Sequence, residues 1–149
     1  MLVPDRVRAL IVDDNAYARA ATAATLRKLG ISQITEVETA QEAVLQIIAA
    51  PFDVLFMDWY IPDMNGAALL QILRDPRFGP NGALPIVMMT AYPSRDVLTR
   101  ARELGISDAL AKPFTATQVA SALQRVLFGW EVPEDEPLPK AAGDGSVFL

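Results

Sequence analysis

The alternation of short apolar runs with amphipathic stretches constrains this chain more than any other feature. The runs lie at residues 7–12, 33–37, 54–57, 86–89 and 107–111. Between them fall stretches with helical spacing at 16–29, 40–50, 66–73 and 95–104, and another at 116–127 follows the last run. The segments ALIV, DVLFM and PIVMM show no polar alternation. They therefore predict strands buried on both faces, as a parallel sheet covered by helices requires. Gly30 and Gly105 stand where helix C-terminal glycines belong, and Thr39, Ser94 and Thr115 stand at N-cap positions.

Five such β-α units within 149 residues predict an α/β fold. The expected form is a doubly wound, five-stranded parallel sheet of flavodoxin-like order 2-1-3-4-5, with helices on both faces. Ligands of such sheets sit beyond the carboxyl ends of the strands, which directs attention to the residues there. Residues 1–128 are expected to form this domain. Residues 129–149 carry three prolines and an acidic run without helical period, and read as a flexible C-terminal tail, with Trp130 folding back onto the body. The connection at 75–84, DPRFGPNGAL, is turn-rich and longer than usual.

What the chain lacks narrows the chemistry. It has no cysteine, which excludes disulfides, thiolate nucleophiles and cysteine metal sites. It has no histidine, which excludes imidazole general bases, serine-histidine triads and imidazole zinc sites. Any metal must be held by oxygen, which favours a hard cation such as Mg²⁺, with Mn²⁺ as a substitute. A net charge of −5 argues against nucleic acid as a partner. No apolar run reaches the ~18 residues of a bilayer span, and the first residues lack a secretory layout, so no membrane association and a cytoplasmic location are expected.

Function must then rest on carboxylates, hydroxyls and lysine. Asp13 and Asp14 follow the first predicted strand, and Asp58 follows the third. In the predicted order those strands are neighbours, so three acids converge where only a cation would relieve their repulsion. Thr90 ends the fourth strand, and the fifth leads into Lys112-Pro113. An ammonium and a hydroxyl on that face suit a phosphoryl group. Asp58 can serve as the carboxylate nucleophile that receives it.

At this point the chain resembles the receiver domain of two-component response regulators, over residues 8–127. The motifs LIVDD, DWYIPDMNG, MMTAY and AKPF stand in that family's order and spacing. The resemblance implies that Asp58 is the phosphoacceptor, with Asp14 binding the metal directly and Asp13 through water. It implies that the backbone carbonyl of Tyr60 completes the metal shell, and that Thr90 and Lys112 bind the phosphoryl group. Pro62 and Gly66 match the family's turning loop after the phosphoacceptor, and Lys112-Pro113 matches its cis peptide. Partners implied are a sensor histidine kinase or histidine phosphotransfer protein, docking on Ala16, Tyr17 and Phe114, and a downstream protein. The state implied is a monomer or a phosphorylation-dependent dimer.

The chain departs from the pattern at Ala109, where receivers carry an aromatic switch residue. Trp59, Tyr60 and Tyr92 are bulky for their positions, and Tyr60 and Tyr92 occupy places that tune dephosphorylation in the family. The reading that follows is a stand-alone regulator, phosphorylated on Asp58 in a Mg²⁺-dependent reaction, which signals by protein contacts rather than as an enzyme. The alternative is a receiver-like binding module that works without phosphorylation. A phosphatase of the haloacid-dehalogenase kind fits less well, because it needs D-x-D spacing after the first strand.

Overall fold

The computed structural model describes residues 3–127 and Trp130. Its strands are β1 (Arg8–Val12), β2 (Gln33–Val37), β3 (Val54–Asp58), β4 (Ile86–Thr90) and β5 (Asp108–Ala111). Its helices are α1 (Ala16–Lys28), α2 (Ala40–Ala49), α3 (Gly66–Leu73), α4 (Arg95–Glu103) and α5 (Ala116–Val126). The sheet runs β2-β1-β3-β4-β5 with every neighbouring pair parallel, the order expected from the sequence.

Period-two alternation divides the strand residues between two cores. Ala9, Ile11, Val54, Phe56, Val87, Met89 and Leu110 face the layer built from α1 and α5. Leu10, Val12, Leu55, Met57, Ile86, Met88 and Ala109 face α2, α3 and α4. Both faces of the central strands are thus dry, which is why their sequences lack polar alternation.

Helix ends follow local chemistry. Thr39, Ser94 and Thr115 cap α2, α4 and α5, and Thr115 forms a reciprocal capping box with Gln118. Gly30 and Gly105 adopt φ of 94° and 101°, the left-handed conformation that ends α1 and α4. The connection after α3 contains a 3₁₀ segment, Pro76–Ala83, so the turn-rich stretch is more regular than a plain loop. The Arg74 guanidinium pins its far end by donating to the carbonyls of Leu84 at 2.6 Å and Gly105 at 3.0 Å. Trp130 is buried in the α1–α5 core, as expected. The rest of the expected tail, residues 129 and 131–149, lies outside the described residues.

The β3–α3 connection reverses direction tightly. The N–H of Gly66 donates to the Trp59 carbonyl at 2.8 Å, and the Trp59 ring lies directly over Gly66. A Cβ at residue 66 would meet ring carbons of Trp59 at 2.5 and 2.9 Å. Gly66→Ala is therefore expected to destabilise the fold by ~1–3 kcal/mol in urea titration. In a Trp59→Leu background the penalty should shrink, and an undiminished penalty there would assign it to something other than this contact.

Candidate functional site

The carboxyl end of the sheet delivers five polar side chains to one place, and the strands hold most of them rigidly. Asp58 and Thr90 are the last residues of β3 and β4, paired in register with Met89 and Ala111. Asp13 lies one residue past β1, and its N–H still donates to the Val37 carbonyl. Lys112 lies one residue past β5, and its N–H donates to the Thr90 carbonyl at 2.8 Å. The Lys112-Pro113 peptide bond is cis.

Three of the site side chains are steered by a turn of one kind. Asp13 Oδ1 accepts from the N–H of Asn15 at 2.9 Å, and Asp58 Oδ1 accepts from that of Tyr60 at 3.2 Å. Thr90 Oγ1 accepts from the N–H of Tyr92 at 3.0 Å. In all three, a short polar side chain at a strand end bonds the amide two residues on. Because the Thr90 oxygen accepts this bond, its own proton remains to be donated elsewhere.

Lys112 ties the cluster together. Its Nζ lies 2.8 Å from Asp13 Oδ2 and 3.3 Å from Asp58 Oδ2. Asp13 is fully buried, Asp58 is 8% exposed, and Asp14 faces solvent. Carboxylate oxygens of Asp13, Asp14 and Asp58 all lie within 4.8 Å of one another. Burial pushes the Asp58 carboxyl upward; Lys112 pulls it back and the Asp13 charge adds to the rise, with a net upward shift. Burial also opposes the Lys112 charge, but the hydrogen bond to Asp13 and the fields of Asp58 and Asp13 outweigh it, raising the ammonium above its ordinary value. One cation thus serves two buried anions and leaves the trio short of positive charge.

This arrangement has relatives. The sequence profile described as the response regulator receiver domain matches residues 9–124. The chain belongs to the response regulator receiver domain family. It is similar to the chemotaxis protein CheY of Pseudomonas aeruginosa, at 32% identity over 121 residues, covering 80% of this chain and 95% of that one. It is similar also to a probable CheY of Rhizobium etli, at 30% identity, covering 85% and 96% respectively. Among solved structures it resembles CheY4 of Vibrio cholerae, with TM-score 0.73 and 28% identity, covering 81% of this chain and 98% of that one. It also resembles the receiver domain of a sensor histidine kinase from Pseudomonas aeruginosa, crystallised with a magnesium ion in its active-site cleft. That match has TM-score 0.72 and 27% identity, covering 80% of this chain and 96% of the other.

The receiver's donor set fits a hard divalent cation. It is all oxygen, anionic and partly open through Asp14, with no nitrogen or sulfur ligand among the three groups. Other residues singled out from the sequence fall around it. Pro62 lies exposed in the β3–α3 loop, and Gly66 opens α3. Ala109 is fully buried in the α2–α4 core. Tyr60 and Tyr92 are 50% and 71% exposed and meet edge to face, ring centres 6.0 Å apart. Trp59 points away from solvent, is nearly buried in the α2–α4 core, and packs rather than lining the site.

Three residues support the site in roles that the sequence reading does not assign them; Asp63 reads there as a turn residue. Asn15 caps α1 by accepting from Ala18, directly beside the acid pair. Asp63 accepts from the amides of Ala40 and Gln41, capping α2 from a distant loop. Arg19 donates to the Asp13 carbonyl. Asn15 was legible as an N-cap type before a helical stretch. The other two were not, because their partners are distant in sequence or belong to the backbone.

No helix of the receiver is long and apolar enough to cross a membrane, among the described residues.

The raised Asp58 carboxyl has a consequence for stability. A folded-state value above the ordinary 3.8 costs stability at neutral pH, and the cost is relieved as pH falls through the folded value toward 3.8. Asp58→Asn should therefore unfold at a higher temperature than the parent in metal-free buffer near neutrality, with the advantage shrinking on acidification. Scanning calorimetry in a chelator at several pH values checks this, and an advantage that grows on acidification would reverse the assigned sign.

Proposed function

We propose that the receiver accepts a phosphoryl group on Asp58 from a phosphohistidine donor and signals through protein contacts. The single observation that carries this is the Lys112 bridge between Asp13 and Asp58 at the mouth of an all-oxygen acid cluster. Asp13, Asp14, Asp58 and the Tyr60 backbone carbonyl would hold a divalent cation, Mg²⁺ before Mn²⁺, which would supply the positive charge that Lys112 alone cannot.

The chain's own residues do the remainder. Asp58 offers a carboxylate oxygen in line with the donor's P–N bond; an O–P bond forms as the P–N bond breaks, and the leaving imidazole retains the bonding pair. Lys112 stays protonated through the relevant pH range, because its partners raise it, and pairs with phosphoryl oxygens. Thr90 donates its free proton to another oxygen. Little else is required, since positioning and charge neutralisation suffice for phosphoryl transfer. Hydrolysis of the acyl phosphate at the same site resets the protein, and this self-directed chemistry is the only catalysis proposed. Pro62, Gly66 and Pro113 shape the surrounding turns.

An apolar groove of about 350 Å³ opens beside Lys112 between α1 and the β5–α5 turn, lined by Ala18, Ala21, Thr22, Thr25, Ala91 and Phe114. It supports docking there of a sensor kinase or histidine phosphotransfer protein, with Ala16 and Tyr17 on the adjoining turn of α1. The magnesium-bound receiver of the Pseudomonas kinase supports the choice of cation. The location proposed is the cytoplasm. The likeness to CheY proteins supports a diffusible signalling role.

Incubation with acetyl phosphate and Mg²⁺ should add one phosphoryl mass to the intact parent, and none to Asp58→Ala or to the parent in chelator. If acetyl phosphate and a panel of phosphorylated histidine donors all leave the parent unmodified, the phosphorylation-independent binding module takes its place. The exposed Tyr60–Tyr92 pair is expected to screen the acyl phosphate from water. A Tyr60→Asn, Tyr92→Glu double variant should lose phosphate faster than the parent in a decay assay, and an unchanged decay rate would remove that role.

A further inference from the structure

Asp13 lies past the end of β1, where its peptide has outrun the sheet. Its N–H donates to the Val37 carbonyl at 3.2 Å, but β2 ends at Val37 and supplies no further ladder partner for the Asp13 carbonyl. A buried carbonyl left unpaired there would be costly. Arg19, one turn into α1, fills the gap: its Nη1 donates to that carbonyl at 2.6 Å. The guanidinium is largely buried, with 16% of the side chain exposed, and its Nε forms an ion pair with Glu36 Oε1 at 3.6 Å. The other Glu36 oxygen lies 3.9 Å from Arg27. Glu36 faces α1 because Ile34, two residues earlier on β2, packs into the α1–α5 core.

We propose that Arg19 is a positioning residue of the cation site, gripping the Asp13 peptide so that the Asp13 and Asp14 carboxylates point at the metal. The inference rests on the reading of the acid cluster given above. The peptide unit joining Asp13 to Asp14 belongs to both acids, so turning it swings both side chains. Asp13 has independent restraint from Asn15 and Lys112. Asp14 does not: among the described residues no hydrogen bond or ion pair is made by its exposed carboxylate. The direction of Asp14 is set by its backbone, and the Arg19 bond fixes that backbone on the carbonyl side. The bond is charge-assisted, and Glu36 restrains the guanidinium that makes it. Lysine would do this poorly, since a single ammonium cannot present a planar fork to the carbonyl and to Glu36 together.

The test is titration of the metal-free parent, Arg19→Met, Arg19→Lys and Glu36→Gln with MgCl2, read by isothermal titration calorimetry. Thermal unfolding in chelator and acetyl phosphate phosphorylation rates at rising Mg²⁺ accompany it. Arg19→Met should weaken Mg²⁺ binding about tenfold, the scale seen when a partner behind a metal ligand is lost. Its phosphorylation rate should approach the parent's once Mg²⁺ saturates. Glu36→Gln should weaken binding less, and Arg19→Lys should fall between the parent and Arg19→Met. A folded Arg19→Met that binds Mg²⁺ like the parent overturns the proposal, whatever stability it has lost, because a purely structural role moves unfolding and leaves the affinity alone. If Arg19→Met does not fold, parent-like affinity in both Arg19→Lys and Glu36→Gln overturns it equally. A parent with no Mg²⁺ response removes the cation-site reading and this inference with it; a responsive parent matched by its variants removes the inference alone.

Discussion

Much of this structure depends on one electrostatic constraint: three carboxylates share a space that holds, among the described residues, one lysine. Lys112 reaches Asp13 and Asp58 at once, and both acids are almost completely shielded from water. Such a cluster could not persist in a flexible loop, because each carboxylate would swing out to solvent and relieve the repulsion. The fold prevents that by making the acids extensions of strands. Asp58 is still in register with β4, and Asp13 still hydrogen-bonds to β2. The sheet thereby stores a demand for positive charge that Lys112 meets only in part.

The three side-chain-to-amide turns at Asp13, Asp58 and Thr90 also place the residues two positions downstream. Each such bond pulls the following backbone over the site, so Tyr60 and Tyr92 arrive together from different loops and meet edge to face. Their contact spans the β3–α3 and β4–α4 connections. Any movement of the Thr90 hydroxyl that lengthens its bond to the Tyr92 amide is felt directly by this exposed pair. Residue 109, the switch position that the family resemblance implies, is an alanine here. The buried methyl at 109 lies within the α2–α4 core and has no ring to rotate.

Supporting interactions are distributed by a common rule: where the sheet or a helix runs out of backbone partners, a polar side chain from another element supplies one. Asp63 completes the first turn of α2, Arg74 satisfies the carbonyls of Leu84 and Gly105, and Arg19 satisfies that of Asp13. Asp108 and Arg125 also join β5 to α5, here by an ion pair between side chains. These bonds set the angles at which connections leave the sheet, and the site is made of connections.

The sequence by itself determined the class of fold and the composition of the site. Uninterrupted apolar runs can be stable only with both faces covered, and glycines and hydroxyl residues at the stretch ends fixed the helix boundaries to within about one residue. Asp13, Asp14, Asp58, Thr90 and Lys112 were readable because each falls at the end of a run, and parallel topology sends all those ends to one edge. Trp59 was ambiguous in one dimension, since an aromatic beside a polar residue suits a site wall as well as a core. Only the tertiary structure turned it onto Gly66 and into the core. The bonds of Arg19, Glu36 and Asp63 were beyond local reading for a related reason. Their partners are a carbonyl, a guanidinium and two amides brought near by packing, and a hydrogen bond to backbone leaves no mark on the sequence of the residue that receives it.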